Sequence, residues 1–403
     1  MTDALLSLIA GRFGTPTYVY DLDVVTEQVA RLAAAFPFAD IRYAVKANAN
    51  GALLRHLVSL GVGAEALTEG ELERALRAGF APARIVLGGP GHTPALARRA
   101  AEAGVGLVSL DSVGVWRVWR EADAPDTRFL VRVNPGFDPH THEHLATAAA
   151  TSKFGEPAAA ALAVAGEVAA TGRLAGFHVH AGSMLDDETV ADLVVAALEP
   201  LYADFPDADL VDFGGGLAVP HAPLVGFAAA YERFVERSGK RVLLEPGRFV
   251  IAEAGTLLTR VLHVKEGARR HVIADAGMAD LLRPALYGAR HPVHLVEAGG
   301  GSRGSEGSSV EEGGRGGVQS GLPTDVDGPL CENADRLGQD VELPAAAAGD
   351  LLAVGTAGAY GFAMASNYAG SLRPAEVAVR AGEARLVRRR ERPEDLWRLE
   401  DEA

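Results

Sequence analysis

At 403 residues the chain is too long for a single small module; roughly 150 residues per domain predicts two or three compact units, or one barrel with an accessory domain. Hydrophobic residues make up 48% and charged residues 23%, which excludes wholesale disorder. With 53 acidic against 38 basic side chains the net charge is −15, so neither nucleic acid nor an anionic membrane surface is an expected partner. A lone cysteine excludes an intramolecular disulfide. The N-terminal MTDALLSLIAGRFG carries neither a basic region nor a long apolar run, and no stretch approaches the about 20 apolar residues that span a bilayer, so a cytoplasmic location is expected.

In chain order, GTPTYVYDL (14–22) reads as a strand. From residue 41 to 247 short apolar runs recur: IRYAVK (41–46), VGAEAL (62–67), RIVLGG (84–89), VGLVSL (105–110), RFLVRVN (128–134), LAGFHVH (174–180), DLVDFGG (209–215) and RVLLEPG (241–247). Between them lie segments such as GELERALRAGF and TPALARRAAEAG, with apolar residues every three to four positions and a closing glycine, the pattern of a helix with its C-terminal cap. Parallel strands need crossover helices, so eight strand–helix repeats predict a (β/α)8 TIM-like barrel; an open doubly wound sheet is the alternative, but it usually has fewer strands.

After residue 250 the texture changes. TLLTRVLHVKE, RRHVIADAG, HPVHLVEA, DLLAVGTAGAYG and RPAEVAVRAGEARLV are β-rich runs separated by turn signals, which predicts a second, mostly antiparallel β domain that the strand at 14–22 can join. The expected fold class is therefore α/β plus all-β, with the barrel over 25–265 and the β domain built from 1–24 and 266–403. A Gly/Ser tract near 299–321 has almost no apolar residues and reads as a surface insertion.

Active sites of such barrels lie at the C-terminal ends of the strands. Lys46 closes the first run, where an apolar setting favours a neutral, nucleophilic amine. The sixth run ends in HVHAGS, with His178, His180 and Ser183. The seventh ends in Asp212, Phe213 and the glycines Gly214, Gly215 and Gly216, whose missing side chains let backbone N–H groups approach an anion. The eighth ends in EPGR, which places Glu245, Gly247 and Arg248 at the same rim. An amine, a flat aromatic group, an anion cradle and a carboxylate are the parts that hold pyridoxal 5′-phosphate. Taken singly, each has a plainer reading: a solvated terminal lysine, buried imidazoles, a tight turn.

YAVKAN, SKFG (152–155), HVHAGS, DFGGG, EPGR, CENAD (331–335) and GAYG (358–361) together resemble the barrel-type pyridoxal-phosphate-dependent amino-acid decarboxylases, over about residues 12–380. Within that family the resemblance is greatest to the diaminopimelate decarboxylases, through NPGFDPHTHEHLATAAATSKFG, DAGMADLLRPALYGARHP and GAYGFAMASNYAGSLRPAEV. The resemblance implies decarboxylation of meso-2,6-diaminopimelate to L-lysine. Lys46 matches the lysine bonded to the cofactor, His180 the imidazole stacked on its ring, and Glu245 the partner of its pyridine nitrogen. Ser183, Gly216 and Arg248 match phosphate-binding positions, with Arg248 also near the substrate carboxylate. Arg283 and Tyr287 of RPALY, Glu332 and Tyr360 match substrate- or cofactor-contacting positions, and Cys331 the proton donor. In that family the cysteine and its acid come from a second subunit, which implies a homodimer with shared active sites.

The chain departs from the family pattern at Asn333, where serine is common, at Ala369, where asparagine is usual, and at Met184, where glutamine is frequent. HTHEH (His140, His142, His144) has metal-like spacing but matches a non-metal family loop, so no metal is expected. The competing readings are a decarboxylase acting on ornithine, lysine or a carrier-linked amino acid, and an alanine-racemase-like or non-catalytic cofactor-binding barrel. Arg283 separates the first of these, because a diamine-forming enzyme needs an acid rather than an arginine at the distal end of its substrate.

Overall fold

The structure, a computed structural model, describes residues 1–136, 151–297 and 323–403. The HTHEH run and the Gly/Ser tract near 299–321 lie outside the described residues. The chain divides into two units, one formed by Val24–Ala252 and the other by Met1–Asp23 with Glu253–Ala403.

The first unit is a closed barrel of eight parallel strands: Ala39–Ala44, Gly63–Ala66, Ile85–Leu87, Leu107–Leu110, Arg128–Asn134, Leu174–His178, Leu210–Asp212 and Arg241–Leu244. Seven fall within a predicted run, and the first starts two residues ahead of its own. The first strand pairs with both the second and the eighth, and the fourth pairs with the fifth, so the sheet has no open edge and the doubly wound alternative is excluded. Val86, Leu107, Leu130, Ala175, Leu210 and Leu243 form a buried cluster inside the ring, as side chains of alternate strands must when no pore is left.

The helices follow their caps. Thr68 accepts from the Glu71 N–H ahead of helix Glu69–Ala78, and Gly79 closes it at φ +99°. Thr93 caps Pro94–Ala103 in the same way, with proline in the first turn and Gly104 at φ +79° after the last.

In the second unit Thr17–Asp21 lies between Gly255–Glu266, to which it is antiparallel, and Ala375–Arg380, to which it is parallel. Most other pairings there are antiparallel, including Gly255–Glu266 with Leu351–Val354 and Ala375–Arg380 with Glu383–Arg388. The barrel unit ends at Ala252 rather than near residue 265 because the hydrogen bonds of Gly255–Glu266 all run to strands of the β unit. Two short strands, Thr324–Asp327 and Arg336–Gly338, escaped the sequence reading because acidic and glycine residues dilute their β signal. Among the described residues no helix is long and apolar enough to cross a membrane.

Candidate active site

The C-terminal ends of the barrel strands carry an unusual density of buried ionisable groups. Lys46 sits in a single helical turn, Val45–Ala47, just past the first strand. The register of the first two strands sets Ala44 opposite Glu65, so the lysine reaches across and its Nζ lies 3.0 Å from Glu65 Oε2. The carboxylate is nearly inaccessible, at 3% side-chain exposure, whereas the lysine keeps 32%. Glu65 was not singled out in the sequence; the available signal was an acid on the otherwise apolar run VGAEAL, which needs a partner when buried.

The sixth strand ends at His178, whose Nδ1 lies 2.7 Å from Ser109 Oγ on the fourth strand. His180, two residues on, accepts a hydrogen bond at Nδ1 from the Gly215 N–H at 3.1 Å, so its neutral form carries the proton on Nε2. Burial first, then the positive charges of Lys46 and Arg132, hold His180 well below the ordinary imidazole range. His178 is pushed the same way by burial first, then by Arg132, His180 and Lys46. Both rings are thus neutral at physiological pH. Arg132 is itself paired with the buried Asp111 at 3.0 Å.

Strand seven delivers Asp212 and then the glycine turn. Gly214 adopts φ +66° and Gly216 φ +95°, the left-handed conformation in which glycine is least strained. A Cβ on Gly214 would also fall 2.9 Å from His180 Nδ1, and one on Gly215 would fall 2.2 Å from the Glu245 carbonyl oxygen, so the triplet is what lets strands six, seven and eight close on one another. Asp212 Oδ1 accepts the Gly214 N–H at 2.8 Å. On the eighth strand's far side, buried Arg248 donates from Nη2 to Ser183 Oγ at 3.1 Å.

Glu245 follows the last residue of strand eight. One nitrogen of His178 and one oxygen each of Asp212 and Glu245 lie within 4.8 Å of one another. His178 Nε2, Asp212 Oδ2 and Glu245 Oε1 are buried and have no hydrogen-bond partner among the described residues. The carboxyls respond as desolvated neighbours of like charge must. Burial first, then Asp212 and Glu65, push Glu245 well above the carboxylate range, with Lys46 pulling it back. Burial pushes Asp212 up to about 6, against the pull of the Gly214 N–H.

The barrel unit therefore brings Lys46, His178, His180, Ser183, Asp212, Gly214, Gly215, Gly216, Glu245, Gly247 and Arg248 to one rim, as expected for strand-end residues. The remaining candidates belong to the β unit. Arg283 opens the helix Arg283–Tyr287, and its Nη1 lies 3.1 Å from His291 Nε2. Cys331 and Glu332 are exposed, and Glu332 Oε1 accepts from Tyr368 Oη at 2.5 Å. Their loop is held by buried Asp335, whose carboxylate accepts the Met278 and Leu330 N–H groups, each at 2.6 Å. Tyr360 has a left-handed backbone at φ +57°, as do Met184 (+65°) and Ala369 (+53°).

Residues 22–252 match the family model described as the pyridoxal binding domain of pyridoxal-dependent decarboxylases. The chain is 37% identical over 399 residues to a diaminopimelate decarboxylase from Deinococcus radiodurans, covering 97% of each protein. It is 35% identical to one from Zymomonas mobilis, covering 99% of this chain and 95% of that one. The crystal structure of diaminopimelate decarboxylase from Helicobacter pylori complexed with L-lysine is similar with a TM-score of 0.87 at 31% identity, over 98% of this chain and 99% of that one.

Proposed function

The chain belongs to the diaminopimelate decarboxylase family of pyridoxal-dependent decarboxylases, and from that premise we propose that it converts meso-2,6-diaminopimelate to L-lysine and carbon dioxide with pyridoxal 5′-phosphate as cofactor. The observation that carries the reading is the convergence of Lys46, the two neutral imidazoles, the glycine turn and buried Glu245 at one barrel rim.

The residues present suit the cofactor. Asp212 Oδ2 and Glu245 Oε1 are buried with no donor among the described residues, so the cluster has an acceptor to spare for a protonated ring nitrogen. Lys46 Nζ would hold the cofactor's aldehyde carbon, Glu245 its pyridine nitrogen, and His180 one ring face. Ser183, Gly214, Gly215, Gly216, Gly247 and Arg248 would hold its phosphate, and Tyr360 is a further proposed contact. When bound, the cofactor withdraws the electron pair left on the substrate α-carbon as carbon dioxide departs.

The other steps belong to the chain's own groups. A negative charge on Glu245 favours a positive ring nitrogen, an interaction that strengthens as the ring accepts electrons. Neutral His180 adds no competing charge beside it. Arg248 orients the reacting carboxylate, and Cys331, supplied by a second subunit, gives the Sγ proton to the α-carbon. Arg283 and Tyr287 bind the distal carboxylate, and Glu332 binds the distal ammonium, so the site selects a substrate charged at both ends. A homodimer with shared sites and a cytoplasmic location complete the proposal.

Incubating the purified, cofactor-loaded protein separately with meso-diaminopimelate, L-lysine and L-ornithine tests it. Release of carbon dioxide with formation of lysine from the first alone is expected. Turnover of lysine or ornithine in preference to diaminopimelate would overturn the substrate assignment.

A further inference from the structure

We propose that Asp212 is a positioning residue that shares one proton with Glu245 through Oδ2 while its Oδ1 holds the glycine turn, so that one side chain sets both the carboxylate and the anion cradle of the site. The inference rests on the proposed cofactor only for what the pair is for; the shared proton stands on the geometry of the barrel unit.

Asp212 is 0% exposed and Glu245 5%. Register places Leu243 beside Asp212, and Glu245, two residues on, has a carboxyl oxygen within 4.8 Å of one of the aspartate's. Asp212 Oδ1 is occupied by the Gly214 N–H, while Asp212 Oδ2 and Glu245 Oε1 have no donor among the described residues. Two ionised, buried carboxylates within 4.8 Å of each other would repel and leave both oxygens unsatisfied. A single proton between them removes one charge and satisfies both oxygens at once, as coupled acid pairs do.

No neighbouring group offers a better source of that hydrogen bond. His178 Nε2 lies 3.6 Å from Glu245 Oε2, beyond hydrogen-bond length, and its ring is neutral. Lys46, whose charge acts on Glu245, is paired with Glu65 at 3.0 Å, and Glu65 adds its own repulsion to both acids. Arg42 attracts Asp212, but its own pairing is with Asp40. Arg132 and His180 bear on His178 rather than on the pair. The consequence is a single shared negative charge facing the rim at neutral pH, held in place by the strand-seven backbone.

Infrared difference spectroscopy of the cofactor-free protein at neutral pH reads the proton directly. A protonated-carboxyl band is expected in the wild-type-minus-Asp212→Asn and the wild-type-minus-Glu245→Gln difference spectra, where the signal of buried Asp280 cancels. Its absence from either difference overturns the proposal. The positioning role is read by titrating pyridoxine 5′-phosphate, which cannot bond to Lys46, onto correctly folded variants. Asp212→Leu, similar in size but unable to hydrogen-bond, is expected to weaken binding about ten- to thirtyfold, the worth of two hydrogen bonds. Asp212→Asn keeps an acceptor for Gly214 and a donor for Glu245, and is expected to recover most of that loss. Equal weakening by Leu and Asn rules the hydrogen-bonding role out. A wild type that binds no pyridoxine 5′-phosphate defeats the cofactor assignment instead, and leaves the infrared result to decide on the shared proton.

Discussion

Lys46 Nζ and Glu65 Oε2 are 3.0 Å apart, joined across the first two barrel strands by a register that sets Ala44 opposite Glu65. A buried carboxylate there does two things: it fixes the amine's direction, and it can take the proton that the amine must lose before it attacks a carbonyl carbon.

Glu65→Gln preserves the shape and removes the base. Noncovalent affinity for pyridoxal 5′-phosphate should persist while covalent capture at Lys46 slows by about a hundredfold. Stopped-flow absorbance with borohydride fixation measures both, and Lys46→Ala should abolish fixation altogether. An unaltered capture rate in Glu65→Gln would show that another group moves the proton.

Arg283 and Glu332 are proposed to divide the distal end of the substrate between them, and Glu332 is oriented by the Tyr368 hydroxyl at 2.5 Å. Arg283→Ala should raise KM for diaminopimelate by at least tenfold, and Tyr368→Phe by a few-fold, with kcat less affected in each case. Steady-state kinetics with each variant is sufficient. A fall confined to kcat would place these residues in the chemistry instead of in recognition.

Asp280, buried in the β unit, titrates abnormally. Burial first, then the charges of Asp275 and Asp335, push its carboxyl up to about 7 from an ordinary 3.8, although the Gly277 N–H donates to it at 2.9 Å. The folded chain therefore holds a proton that the unfolded chain has already lost between those two values, so this group makes the fold less stable as pH rises from about 4 to about 7 and adds no further change above. Asp280→Asn keeps the acceptor and removes the titration. Its stability relative to wild type should climb by a few kcal/mol across that window in urea denaturation. A constant difference from pH 4 to pH 8 would contradict the assignment.

Ala369 has φ +53° and ψ +28°, a left-handed conformation that costs an alanine about 1 kcal/mol and that asparagine and glycine tolerate better. Replacement by asparagine should stabilise the β unit by roughly 0.5–1 kcal/mol, seen as a higher urea midpoint at unchanged slope. An unchanged or lower midpoint would mean that neighbouring packing, rather than the backbone, sets the preference.

Much of this was legible locally. The eight strands appear as short apolar runs because each is buried on both faces, and the intervening helices announce themselves through threonine caps and closing glycines. Lys46, His180, Glu245 and Arg248 stand out because charged and aromatic polar groups at the ends of apolar strands have few other reasons to be there. Glu65 and Asp335 were not legible as partners. Each looks like an ordinary acid in its own segment, and its value depends on a backbone or side chain 19 or 57 residues distant.

What the amino-acid order determined by itself was the succession of elements and the chemical kinds gathered at strand ends, since both follow from periodicity and composition within a few residues. Tertiary structure alone decided the pairings: Lys46 with Glu65, Asp212 with Glu245, and Thr17–Asp21 between Gly255–Glu266 and Ala375–Arg380. The reason is geometric. A side chain's neighbour across a closed sheet depends on how far one strand is displaced along the next, and that displacement is set only when the whole ring closes.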